Sequence, residues 1–102
     1  MEEWKPIKGF EHRYLISSFG RIMNNNTGNM LLQKTTSKGY LYVNLHMDKG
    51  TTKYSVHLLV VETFNSDFNE NYDIIHKDGN IINNAYNNLR IEKFPDFLQN
   101  MP

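Results

Sequence analysis

The sequence predicts an α+β fold in which small antiparallel sheets come first and a strand–loop–strand segment then leads into a short, truncated final helix. Residues 40–47 alternate apolar and polar side chains with the period of two that is typical of a strand. Residues 56–64 instead carry apolar side chains at helical spacing. At 102 residues, the chain has a length suited to one compact domain.

The first half of the chain has the pattern of short strands separated by turns. Residues 14–17 and 21–23 are expected to be strands on either side of a Gly-containing turn, and residues 30–32 follow an Asn-rich turn as a third. The clearest strand, at 40–47, continues through a second Gly-containing turn into a partner strand at 51–56. These segments account for the expected antiparallel sheets.

In the second half, residues 56–64 predict a short buried helix with Ser55 as its N-cap. The elements expected after it are a strand at 72–75, an Asn-rich loop at 77–88, a strand at 89–93 and a short helix that begins near Pro95. One common core is expected from the inward positions of these elements. Its predicted members are Leu41, Val43, Leu45, Val56, Leu59, Val60, Phe64, Ile74 and Leu89.

Charge is divided unequally along the chain, although the formal net charge is zero. Residues 1–53 carry eight Lys or Arg and four Asp or Glu, whereas residues 54–102 carry three Lys or Arg and seven Asp or Glu. The first half could therefore face nucleic-acid phosphates, but two oppositely charged solvated surfaces explain the charges equally well. The candidate DNA-binding residues are Lys5, Lys8, Arg13, Arg21, Lys34 and Lys38.

The chain contains no cysteine, which excludes disulfides and Cys-ligated zinc centres and agrees with a reducing, cytoplasmic setting. No apolar run approaches the roughly 20 residues that span a bilayer. The start, MEEWKPIKGF, is acidic where a signal peptide would be basic. We therefore expect a soluble protein that is not exported and has no membrane partner.

The segment 75–90 carries the strongest chemical signal. A strand delivers His76 at its end, and an Asn-rich loop returns to a second strand. This arrangement can hold an imidazole beside a scissile phosphate, where the ring accepts a proton from water while a loop amide holds its other nitrogen. Alternatively, the Asn residues only satisfy turns on the surface, and for an isolated loop this second interpretation is favoured.

Three blocks of the chain resemble one family. The loop matches the pattern H-x-D-G-N-x-x-N-N-x-x-x-N-L through His76, Asp78, Gly79, Asn80, Asn83, Asn84, Asn88 and Leu89. Val56-His57-Leu58-Leu59-Val60, followed by Phe64, is similar to a V-H-R-L-V helix with Leu58 in the usual Arg position. Trp4-Lys5-Pro6-Ile7, Gly9-Phe10-Glu11, Tyr14, Ser17 and Gly20-Arg21-Ile22 are similar to a short N-terminal module. In this order, the blocks resemble HNH endonucleases of the phage homing type.

The resemblance implies a ββα-metal fold that binds one divalent cation, Mg²⁺ or Mn²⁺. By position, it makes His76 the general base and Asn88 the residue that orients its ring, while Asp78 and Gly79 shape the turn. His57 is interpreted as structural rather than as a ligand. The resemblance also divides the chain into an N-terminal module at 1–36 and an HNH-like region at 37–102, which together form one compact domain.

Both usual metal-ligand positions depart from the family pattern. Ile75 stands where the family has Asp or Asn before the catalytic His, and Phe97 stands where a helix Asn or His is usual. Neither side chain can offer an oxygen to a divalent cation. The candidate replacements are Asp96, one position before Phe97, and Asp73, on the same strand face as Ile75. The metal site is therefore expected to be degenerate.

Two hypotheses about function follow, together with a weaker third. The first is a metal-dependent DNA endonuclease or nickase with His76 as base, encoded by a phage or mobile element and acting in the bacterial cytoplasm. The second is an inactive HNH-fold module that needs no metal and binds DNA, a small ligand or a host protein. The third is a remnant without activity, against which the intact loop pattern argues.

Overall fold

The computed structural model describes residues 1–95, which form three small antiparallel sheets, one α-helix and one turn of 3₁₀ helix. This confirms the predicted α+β class. The final helix was expected to begin near Pro95, and its residues from Asp96 onward, including Phe97, lie outside the described residues.

The first sheet consists of β1 (Trp4–Pro6), β2 (Tyr14–Ser17) and β3 (Ile22–Asn24), in that spatial order. The strand expected at 30–32 is absent there, where only an isolated bridge joins Met23 to Met30. Met30 and Leu32 are largely exposed, and of this segment only Leu31 packs against the core, so burial in a sheet would add little apolar contact.

The second sheet contains β4 (Lys34–Thr35), β5 (Leu41–Met47) and β6 (Gly50–Ser55), with β5 in the centre. Val43 and Leu45 are buried, as the alternating pattern predicts, whereas Met47 is exposed. Met47 pairs with Gly50 at the hairpin end of the sheet, and its side chain remains in solvent there.

Helix α1 (Val56–Phe64) follows β6 directly and has the predicted bounds. Ser55 occupies the N-cap position with an extended backbone, but its side chain makes no capping hydrogen bond. The helix buries Val56, Leu59, Val60 and Val61. Val60 and Val61 are both fully buried, so the apolar face is wider than the predicted stripe.

The third sheet pairs β7 (Tyr72–His76) with β8 (Leu89–Lys93), and the 3₁₀ turn Tyr86–Asn88 leads directly into β8. In this ladder, Ile74 lies opposite Ile91, and His76 lies opposite Leu89. Directly opposed residues share a face of an antiparallel pair. His76 therefore projects from the same face as the apolar residues that pack on the core.

The core contains six of the nine predicted residues, while Leu41, Phe64 and Ile74 are only partly buried against it. It also contains residues that the pattern did not identify. These are Ile7, Phe10, Tyr14, Ile16, Ile22 and Val61. The core therefore joins the first sheet to the rest of the fold, and the Tyr14 hydroxyl adds a polar link by accepting the His46 N–H at 3.0 Å.

Within residues 1–95, no helix is both long enough and apolar enough to cross a membrane.

Candidate functional site

His76 ends β7 in a partly buried position, and a side chain from the following loop holds its ring. The Nε2 atom of His76 lies 2.7 Å from Oδ1 of Asn84. Because an amide oxygen only accepts hydrogen bonds, Nε2 carries the proton in this arrangement. Nδ1 is then the nitrogen with a free lone pair, which can accept a proton.

Two further rings lie beside His76. The ring centroid of His57, on α1, is 5.5 Å from that of His76, and the Tyr40 ring lies 5.4 Å from His57 and 6.3 Å from His76. Burial lowers the pKa of His57, the charge of His76 lowers it further, and Asp73 partly offsets both. His57 is therefore a neutral neighbour of His76 near pH 7, and its buried Nδ1 has no hydrogen-bond partner.

Asn84 is the functional candidate that the sequence interpretation missed. It is one of two buried polar residues in the described chain and is only 4% exposed. Its Oδ1 contacts His76, while its Nδ2 is buried without a partner. The available signal was its place in the Asn83-Asn84 pair of the loop pattern, to which no role was given.

Asn88 holds the loop together and does not contact the His76 ring. Its Nδ2 donates to Oδ1 of Asp78 at 3.0 Å and to the backbone oxygen of Asn83 at 2.9 Å, while its Oδ1 accepts the Asp78 N–H at 3.2 Å. An orienting effect of Asn88 on His76, as the sequence predicts, would therefore have to act through the loop. The reason is the path of the loop, which brings Asn84 to the ring and directs Asn88 toward Asp78.

Asp78 is the centre of this loop. Its carboxylate accepts hydrogen bonds from the Asn83 side chain, the Asn80 backbone and the Asn88 side chain. Together these bonds hold the pKa of the Asp78 carboxyl below its usual range. Gly79 follows with a φ of 75°, a conformation that glycine adopts readily. These contacts agree with a turn-shaping role for Asp78 and Gly79.

The expected metal donors lie away from the His76 ring. Asp73 and Ile75 alternate with His76 along β7, so they project from the opposite face of the sheet, where they pair with Glu92 and Arg90. No group of three or more His, Cys, Asp or Glu side chains in residues 1–95 could hold a metal ion. The described donors therefore do not fit a metal cage, and Asp96 lies beyond them.

The six candidate DNA-binding residues fall into three groups. Arg13 is paired with Asp48, and Arg21 is paired with Glu2, with Nε of Arg21 2.8 Å from the Glu2 carboxylate. Arg21 lowers the pKa of Glu2 to about 2. The Nζ atom of Lys5 lies 5.0 Å from the centre of the Phe64 ring. The remaining candidates, Lys8, Lys34 and Lys38, are exposed.

Comparison with known proteins identifies relatives that cover most of the chain. Residues 2–46 match the NUMOD4 motif. The chain is 35% identical over 88 residues to DNA endonuclease I-HmuI of Bacillus phage SP01, an alignment that covers 86% of this chain and 51% of that protein. It is 36% identical over 87 residues to an uncharacterised HNH endonuclease of Acanthamoeba polyphaga mimivirus, covering 85% of this chain and 26% of that protein.

The fold is similar to a solved structure as well. A structure of the HNH homing endonuclease I-HmuI, from work on its DNA binding and cleavage, matches with a TM-score of 0.82 and 34% identity. The match covers 89% of this chain and 52% of the other. The chain thus spans about half the length of I-HmuI, and the expected resemblance is confirmed by sequence and by fold.

Proposed function

We propose, from the similarity of this chain to HNH homing endonucleases in sequence and fold, that it acts on DNA as an endonuclease or nickase domain with His76 as general base. One observation carries the proposal. Asn84 holds Nε2 of His76, which leaves Nδ1 as the basic nitrogen at the end of a strand. The proposal includes a phage or mobile-element origin and action in the cytoplasm of the host cell.

In this function, the chain supplies a positioned base. His76 takes a proton from the attacking water through Nδ1, and the Asn84 oxygen continues to accept from Nε2–H once the ring is charged. The lowered pKa of His57 keeps the neighbouring ring uncharged, so it does not repel the imidazolium that forms. Asn88 acts one step away, because it fixes the loop in which Asn84 lies.

A divalent cation, Mg²⁺ or Mn²⁺, supplies charge stabilisation at the phosphate in metal-assisted hydrolysis. The candidate donors in this chain are Asp73 and Asp96, but the described residues do not form a cage for the ion. We therefore assign no step to a metal here. Asp73 is exposed on the face of β7 opposite His76, and Asp73 Oδ1 accepts the Ile74 N–H at 2.8 Å.

A second candidate function is DNA binding without cleavage. The observation that favours it is Ile75, which precedes His76 in the sequence and carries a partly buried alkyl side chain where the family pattern has an oxygen donor. A domain that has lost this donor keeps its surface charges and its loop. Such a module would bind DNA through phosphate contacts, and a small ligand or a host protein is the alternative partner.

A plasmid assay tests both functions. Purified protein is incubated with supercoiled plasmid and Mg²⁺ or Mn²⁺, and conversion to the open circle is measured together with DNA binding in a gel shift. We expect weak nicking by the wild type and loss of nicking in His76→Ala. Ile75→Asp restores a carboxylate at the position where the family pattern has one, but on the face of β7 opposite His76, and we expect increased nicking only if a metal bound on that face reaches the phosphate. His12→Ala, at an exposed histidine away from the site, is the matched control.

Equal nicking by the wild type and His76→Ala would exclude His76 as the base. Binding without nicking in any variant would favour the second function. The absence of both would direct the search to a host protein or a small ligand.

A further inference from the structure

The turn between β2 and β3 packs directly on the loop segment that holds His76. The backbone oxygen of Ser18 accepts the N–H of Tyr86 at 2.7 Å. Gly20 is in even closer contact, because a Cβ atom at this position would lie 2.9 Å from the Asn84 backbone oxygen and 3.1 Å from the Asn84 Cβ. The N-terminal sheet and the candidate catalytic loop therefore touch without room for a methyl group.

This turn, residues 17–20, is itself held from several sides. The Ser17 side chain is fully buried, and its hydroxyl oxygen accepts the N–H groups of Phe19 and Arg21 at 3.1 Å. The Gly20 N–H donates to the Ser17 backbone oxygen at 2.9 Å. The Gln33 side chain donates to the Gly20 backbone oxygen at 2.7 Å. A turn that is fixed in this way can act as a rigid support for what packs on it.

One residue, Asn84, connects the turn at residues 17–20 to the His76 ring. Asn84 is buried against Gly20, and its Oδ1 accepts from Nε2 of His76. We propose that the turn at residues 17–20 positions the His76 ring, with Gly20 as the positioning residue that fixes the Asn84 backbone. The N-terminal module then orients the base, in addition to any contact that it makes with DNA. This inference rests on the proposed function for the role of His76, but its test does not require cleavage.

A purely structural turn is the competing explanation, and the chain offers a matched control for it. Gly20 and Gly9 have nearly the same positive φ, 86° and 87°. A Cβ atom at Gly9 would meet nothing within 4 Å, whereas at Gly20 it would meet Asn84. The positive φ therefore disfavours alanine at both positions. Only Gly20→Ala adds the collision with Asn84.

The experiment measures which ring nitrogen of His76 carries the proton, by ¹⁵N NMR of the full chain at a pH where the ring is neutral. In the wild type and in Gly9→Ala, we expect the Nε2–H form to dominate. In Gly20→Ala, we expect the ratio of Nε2–H to Nδ1–H to fall by about three- to tenfold, the range expected when one ordinary hydrogen bond is weakened. An unchanged His76 ring in folded Gly20→Ala would overturn the proposal.

A second variant decides the matter if Gly20→Ala does not fold. Gln33→Ala removes the bond to the Gly20 oxygen and introduces no collision, and Leu32→Ala, at a neighbour that is 79% exposed, is its control. We expect a smaller change of the same sign at His76 in Gln33→Ala alone, and no change in Gln33→Ala would refute the inference.

The same variants separate this inference from the proposed function. A changed His76 ring without nicking in any protein supports positioning and counts against the nuclease. Nicking that depends on His76, with the ring unchanged in Gly20→Ala and Gln33→Ala, supports the nuclease and overturns positioning.

Discussion

At the scale of single residues, His57 is a histidine whose pKa is lowered mainly by burial. Its pKa lies below the ordinary value of 6.5 because burial disfavours the charged ring. His76 adds repulsion, Asp73 reduces the shift, and the Tyr40 ring packs against the His57 ring. As the pH falls below 6.5, the unfolded chain therefore takes up a proton at this position before the folded chain does.

This difference predicts a pH dependence of stability. The contribution of His57 is complete above pH 6.5 and is lost as the pH falls through the interval down to the lowered pKa. The free energy of unfolding should fall from pH 7 to pH 5, and it should fall less in His57→Gln. Urea unfolding at several pH values measures this, with His12→Gln, an exposed histidine, as control. The same slope in wild type and His57→Gln would contradict the assignment.

The sequence pattern identified His76 but not its partner, and the reason is chemical. Asn83, Asn84 and Asn88 carry the same amide, so a pattern cannot decide which of them reaches the ring. That choice depends on the path of the loop over the turn at residues 17–20, which involves contacts between distant parts of the chain. Core residues such as Ile7 and Ile22 were missed because isolated apolar residues in short segments show no period.

At the scale of elements, the loop between β7 and β8 shows that both interpretations of its Asn residues apply. The side chains of Asp78 and Asn80 each accept the backbone N–H two residues further on, at 2.8 and 3.2 Å. Asn88 then joins the two ends of the loop. These bonds are the turn contacts expected of an ordinary surface loop. They also determine where Asn84 meets His76.

Removal of the Asn88 side chain should therefore destabilise the loop. Asn88→Ala removes the partly buried bond to the Asn83 oxygen, and we expect a loss of about 0.5–1.5 kcal/mol in the free energy of unfolding. The bond to the exposed Asp78 carboxylate adds little, because water can replace it. Asn87→Ala is the matched control, because Asn87 contributes its backbone oxygen to Lys77. Chemical denaturation of both variants measures the difference. Equal stabilities would show that solvent replaces the Asn88 bonds at no cost.

Predictability from sequence also varied by element. Helix α1 was predicted with its bounds, because nine residues are enough to display a helical spacing. The prediction of a strand at 30–32 was wrong, because three residues are too few to display a period. In the structure, Leu32 is 79% exposed. The short strand β1 has one half-buried and two exposed residues, and its place is determined by pairing with β2.

At the scale of the whole molecule, ion pairs determine which cations of the first half have a nearby anionic partner. Arg13 and Arg21 are paired with Asp48 and Glu2, which belong to the same half, so the surplus of four charges is unchanged. The exposed cations at Lys5, Lys8, Lys34 and Lys38 then carry much of it. If Arg21 contacts a phosphate, it must exchange one anionic partner for another.

This exchange predicts opposite effects of two substitutions on DNA affinity. Arg21→Ala should weaken binding to all sequences alike and reduce the slope of log affinity against log salt by about 1. Glu2→Gln should tighten binding, since it frees the guanidinium from its partner. Glu70→Gln changes the net charge equally at an exposed site in the other half and is the control. DNA affinity is measured by gel shifts over a salt series. An equal increase in affinity in Glu2→Gln and Glu70→Gln would indicate a general effect of net charge.

The outer strand of the first sheet bears on self-association. Backbone N–H groups alternate sides along a strand, and the N–H just after β1, that of Ile7, bonds inward to the Tyr14 oxygen at 3.1 Å. The nitrogen of Pro6 therefore faces the open edge, where proline offers no donor. Lys5 adds a charge beside it. A strand of a second molecule could not form a continuous hydrogen-bond ladder with this edge, and it would meet the charge of Lys5. Both features disfavour edge-to-edge pairing of strands, so this edge is a poor template for aggregation.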